Sequence, residues 1–74
     1  MILSNLVKGN LCKITKIVHH NDNLKRRMTD MGIVEGAEVS LKGIMPFGGP
    51  IMIEVGGQLI TIRRKDAESI EVGF

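Results

Sequence analysis

The sequence predicts a mainly β protein: a small, partly open, five-stranded barrel with one short α-helix inserted between the first two strands. Three observations predict it. Ten Ile and six Val occur in 74 residues, and β-branched side chains suit pleated, half-buried surfaces better than helices. Short apolar runs are broken at close intervals by glycine and proline, the punctuation of strands and turns. Only NLKRRMTDM, residues 23–31, spaces its apolar residues as a helix does.

The first strand spans residues 11–18, with Cys12, Ile14 and Val18 able to share one face. Lys16 breaks the alternation, so a bulge near the strand end is expected to turn Ile17 inward. Asn21, Asp22 or Asn23 can cap the helix, whose Leu24, Met28 and Met31 fall at i, i+4 and i+7. Gly32 is placed to stop it in a left-handed conformation, which would fold Ile33 back onto Met28 in a Schellman motif. Gly36 supplies a turn with positive φ, and AEVSLKG then alternates with Val39 and Leu41 inward.

Residues 44–50, IMPFGGP, read as a loop. IMIEV and QLITI then flank Gly56-Gly57, the composition of a two-residue hairpin turn. Such a turn pairs Val55 with Gln58, Ile53 with Ile60 and Ile51 with Ile62, and puts Met52, Glu54, Leu59, Thr61 and Arg63 on the opposite face. A tight helical turn around residues 66–68 and a last strand carrying Ile70 and Val72 complete the chain. Five short strands leave too many edges for an open sheet, so the last strand is expected to pair near the first. The order of elements resembles an SH3-like barrel whose long first connection is replaced by a helix.

At this length the chain is expected to form a single domain, residues 1–74, with a thin core. One cysteine cannot form an internal disulfide, and no CxxC knuckle is present. The N-terminus lacks a signal-peptide pattern, and no run approaches the roughly 18–20 apolar residues of a membrane span. A cytoplasmic protein with no direct membrane insertion is expected. The net charge of +2, from ten basic and eight acidic residues, is too balanced to direct the chain to nucleic acid by field alone.

LKRRMTDMGIVEGAEV, MPFGGPIMIEV and QLITIRRKDAESIEV together resemble the FeoA family of small bacterial ferrous-iron-uptake proteins. Gly9, Arg27, Met28, Met31, Gly32, Ile33, Gly36, Pro46, Gly48, Pro50, Arg63 and Ala67 fit that family's pattern, with methionine for the usual leucine at Met28. The resemblance implies an SH3-like fold and a partner: FeoB, the membrane iron transporter with a cytosolic GTPase domain. It does not imply a catalytic activity; a non-catalytic accessory protein is expected, with no cofactor. Related barrels form the C-terminal module of iron-dependent repressors, which makes an iron-sensing domain an alternative.

The candidate chemistry is sparse. Cys12 falls on an inward strand face, where a free cysteine acts as a small hydrophobe. Met28 and Met31 belong to the helix's core face, and Met45 and Met52 are the methionines expected to be exposed. Arg63, Arg64 and Lys65 would contact phosphates in a nucleic-acid-binding module, the main rival reading. With no Trp or Tyr and only Phe47 and Phe74, that module would lack stacking platforms. Partner binding is therefore assigned to Met45 and Phe47 in the loop and to Lys25, Arg26 and Arg27 on the helix, Arg27 having a structural alternative as donor to a carbonyl.

His19, His20 and Asp22 are the residues that invite a metal reading. Adjacent histidines on an extended segment point to opposite sides and do not converge on one ion, although sharing between chains would escape that limit. Anaerobic calorimetry of the monomer with Fe(II) is therefore expected to show no stoichiometric site tighter than about micromolar, about −8 kcal/mol. A submicromolar one-to-one isotherm, abolished by joint His19→Ala and His20→Ala replacement, would refute this.

Overall fold

The computed structural model describes residues 1–18 and 22–74. Five strands, β1 (Leu11–Ile17), β2 (Glu38–Ile44), β3 (Ile51–Val55), β4 (Gln58–Ile62) and β5 (Ile70–Gly73), form one antiparallel sheet in the order β4-β3-β2-β1-β5. Helix α1 (Asp22–Asp30) joins β1 to β2, and a single turn, α2 (Arg64–Ala67), joins β4 to β5. Buried side chains from all five strands converge on one core, with Val39, Ile51, Ile53 and Ile70 wholly inaccessible. Burying an aliphatic side chain of this size contributes about 1.5–3 kcal/mol.

The β3–β4 register is the one the two-residue turn requires: Val55 opposes Gln58, Ile53 opposes Ile60 and Ile51 opposes Ile62. Gly56 and Gly57 both take positive φ, 57° and 83°, as a type I′ hairpin turn demands. In β1, Cys12 and Ile14 point inward as expected, and the pairing with β5 shifts between Ile14 and Lys16. That bulge turns Ile17 toward the core and leaves Val18 exposed. Val18 is thus corrected from the inward face: one extra residue inverts the alternation beyond it.

Helix α1 ends as its sequence predicts. Gly32 has φ +83°, Ile33 N–H donates to the Met28 carbonyl at 2.8 Å, and Gly32 N–H donates to the Thr29 carbonyl at 3.0 Å. These are the two bonds of a Schellman motif, and Met28 and Ile33 are both buried. The chain then turns at Val34–Ala37, where Ala37 N–H donates to the Val34 carbonyl at 3.1 Å and Gly36 N–H donates to Ile14 at 2.7 Å, tying the turn to β1. At the other end, α1 already includes Asp22 and Asn23 in its first turn. The Asn21 capping alternative, like His19 and His20, lies outside the described residues.

Two elements depart from expectation. The turn placed at residues 66–68 is α2, two residues earlier, with Ala67 buried beneath it. The N-terminal residues, given no structure from sequence, form a 3₁₀ turn at Leu3–Asn5 that buries Leu3 and Leu6. Three-residue spacing stacks those leucines on one side of such a turn. Beside it, Ile2 bridges Glu71, and Val72 N–H donates to the Met1 carbonyl at 2.7 Å, so the N-terminus covers the outer edge of β5.

A Cβ built on Gly32 meets nothing within 4 Å, so replacement there tests backbone conformation alone. Gly32→Val is expected to cost more than about 1–2 kcal/mol and to lower Tm by at least about 4 °C. Gly32→Asn, which tolerates the left-handed region, is expected to retain most of the stability. Equal melting of wild type and Gly32→Val would refute the assigned helix end.

Candidate functional site

The β2–β3 connection is the most unusual surface of the molecule. Met45 N–H donates to the Pro50 carbonyl at 3.1 Å, closing the loop at its base, and Gly49 N–H donates to the Pro46 carbonyl at 3.2 Å. The central residues of that turn, Phe47 and Gly48, have φ of +61° and +71°, the signs of a type I′ turn. Gly49 is needed for a different reason, because a Cβ there would sit 2.9 Å from Met45 Cβ and 3.2 Å from the Pro46 carbonyl oxygen.

Phe47 is the only non-glycine with positive φ among the described residues, and its side chain is fully exposed at 103% of its reference area. Two penalties coincide here. A left-handed conformation costs a non-glycine residue about 1–2 kcal/mol, and burying an aromatic ring would contribute about 1.5–3 kcal/mol that the free molecule forgoes. The loop does not fold over the barrel end. Ile44 and Met45 beside it are also about half exposed, so the tip presents an apolar strip. Ile44 was not singled out from the sequence, because the end of β2 could not be told from the start of the loop in IMPF.

The helix cations are distributed. Lys25, Arg26 and Arg27 are all exposed. Lys25 borders a groove of about 400 Å³ floored by Ile17, Met28, Ile33 and Val34. Arg27 borders a second, open cleft of about 710 Å³ between α1 and α2, which Arg63, Lys65, Asp66 and Glu68 also line. The carbonyl bond considered for Arg27 does not form: among the described residues its guanidinium has no hydrogen bond or ion pair. The structure therefore places Met45 and Phe47 at the hairpin tip, and the three helix cations along α1, with Lys25 and Arg27 beside two separate depressions and Arg26 beside neither. Both depressions escaped sequence reasoning because each joins segments distant in the chain.

Cys12 is buried and donates from Sγ to the Val39 carbonyl at 3.5 Å. Burial pushes its thiol pKa up, away from the thiolate a nucleophile or metal ligand requires. Among the described residues, no three His, Cys, Asp or Glu side chains gather in a way that would hold a metal ion. No helix of the described residues is long and apolar enough to cross a membrane.

A five-stranded antiparallel barrel of this topology, with an apolar hairpin tip and a helix bearing exposed cations, is an SH3-like barrel protein whose notable features are surfaces. The chain belongs to the FeoA family: the family model described as FeoA domain matches residues 1–73. Iron(II) transport protein A from Clostridium thermocellum superposes with a TM-score of 0.90 at 35% identity, covering 97% of this chain and 44% of that one. This chain thus spans less than half of that relative. A Stenotrophomonas maltophilia FeoA complexed with zinc, described as a procaryotic SH3 domain protein and a candidate ferrous iron transport activating factor, superposes with a TM-score of 0.83 at 29% identity. The match covers 99% of this chain and 89% of that one. A manganese-dependent transcriptional repressor in complex with manganese shares the fold, with a TM-score of 0.90 at 18% identity over 99% of this chain and 35% of its own. No curated protein matches the sequence significantly.

If Phe47 is held in the left-handed region at a cost to stability, a residue at ease there should relieve it. Phe47→Asn is expected to leave Tm unchanged or raise it by up to about 4–8 °C, the equivalent of about 1 kcal/mol in a domain of this size. A clear fall in Tm would show that the ring contributes to folding.

Proposed function

We propose that this protein is a non-catalytic, cytosolic accessory of ferrous iron uptake that docks on the cytosolic part of a FeoB-like transporter and modulates it. Modulation requires different affinities for the transporter's conformations, since a ligand that binds all states equally shifts none of them. The observation that carries the reading is Phe47: a strained, fully exposed aromatic at a hairpin tip has the character of an anchor residue awaiting a pocket. Ile44 and Met45 extend the apolar contact. Lys25, Arg26 and Arg27 add positive charge that would orient the encounter with an acidic surface. Family membership and the iron-transport descriptions of the relatives support the choice of partner.

Binding of the purified protein to membranes containing a FeoB-like transporter tests the reading. Phe47→Asn is expected to weaken binding by about 1–3 kcal/mol, roughly 5- to 150-fold, while circular dichroism stays native. Joint Lys25→Glu and Arg26→Glu replacement is expected mainly to slow association and to flatten its salt dependence. Unimpaired binding of Phe47→Asn would remove the tip as anchor, and failure of the wild type to associate in any nucleotide state would refute the partner.

A further inference from the structure

The two edges of the sheet are treated differently. The β5 edge is covered by Met1 and Ile2, whereas β4 ends the sheet with no strand beyond it. In a two-residue hairpin the residues flanking the turn exchange hydrogen bonds, and the pattern alternates outward from there. Val55–Gln58, Ile53–Ile60 and Ile51–Ile62 are therefore bonded pairs, and the N–H and C=O groups of Leu59 and Thr61 face the open edge. Among the described residues nothing else bonds them. The strand also lacks the usual protections of an edge: QLITI has no proline, no charge and no bulge.

We propose that β4 pairs antiparallel with β4 of a second copy about a two-fold axis at Ile60, joining the two sheets through their edges. This register is self-complementary. Leu59 of each copy meets Thr61 of the other in a bonded pair, which satisfies all four edge-facing groups of each strand. Ile60 meets its own counterpart on the inner face and gains cover for a side chain that is half-buried where its neighbour Ile53 is wholly buried. On the outer face, Leu59 is 60% exposed, and no like charges oppose each other across the axis. Arg63 continues that face, and Glu54 shares its row with Leu59. Across the axis Arg63 is offset from Glu54 of the second copy by two strand spacings and two residues along the strand, about 12 Å, so this pair of opposite charges adds little to the contact. An edge contact alone lies well below the usual interface of about 1,600 Å², so the association is weak and depends on concentration. It is independent of the hairpin tip and of the transporter.

Sedimentation equilibrium from about 10 µM to about 1 mM, the range suited to a weak interface, tests the pairing. The wild-type mass is expected to rise toward twice the monomer. Joint Leu59→Lys and Thr61→Lys replacement opposes like charges in both bonded pairs and is expected to weaken association at least tenfold. Joint Leu59→Lys and Thr61→Glu replacement opposes unlike charges in the same pairs and is expected to associate as well as wild type. Both positions are exposed, and melting curves confirm that each variant folds. The proposal is overturned if the wild type stays monomeric throughout, leaving the edge for a foreign strand, if the double-lysine variant associates normally, or if the lysine–glutamate variant behaves like it.

Discussion

The register of the β3–β4 hairpin is the constraint on which the rest of the molecule depends. A one-residue slip would send every side chain of a strand to the opposite face. Gly56 and Gly57 prevent it by closing the hairpin in two residues, which turns Ile51, Ile53, Val55 and Ile62 to one side. That side is the floor of the core that the strands form. β2 adds Val39 and Leu41, β1 adds Cys12 and Ile14, and β5 adds Ile70 and Val72. Few residues are available to such a small core, so one misdirected strand would remove a large share of it.

The helix and the N-terminal turn act as lids on that floor. Helix α1 carries only Met28 fully into the core, with Leu24 and Met31 partly covered. So short a helix is marginal on its own and depends on this packing. The Schellman motif at Gly32 adds Ile33 and delivers the chain to the turn bonded to Ile14. Beside β5, the N-terminal turn buries Leu3 and Leu6 in the same core. The β2–β3 tip owes nothing to this core: its ring points into solvent, and its geometry is maintained by backbone hydrogen bonds and by the close approach that only Gly49 permits.

The chemistry of the surface follows from what the core absorbs. The one thiol is buried and held protonated. Lys42 and Glu54, 4.0 Å apart, form the single ion pair among the described residues, and at its exposure such a pair contributes little. Among the described residues, the helix cations, the Phe47 ring and the edge-facing groups of β4 have no internal partners. Those three features suit recognition: the cations act at long range, the ring on contact, and the strand edge through direction-specific backbone bonding.

What the sequence determined by itself was local. The Ile pairs across Gly56-Gly57, the helix stop at Gly32, the bulge that re-aims Ile17 and the inward alternation of Val39 and Leu41 are each set by a few neighbouring residues and by backbone stereochemistry. The strained turn at Phe47 carried no such signal, since PFGG admits several turns and only the β2–β3 pairing selects one with Phe47 left-handed. Tertiary structure alone decided that Leu3 and Leu6 enter the core and that Met1 and Ile2 cover β5 while β4 stays open. It also decided that Arg27 shares a cleft with Arg63 and Lys65 while Lys25 borders another groove. These are contacts between segments far apart in the chain, whose free energy depends on which apolar faces remain uncovered once the strands have paired, and no local pattern encodes that remainder.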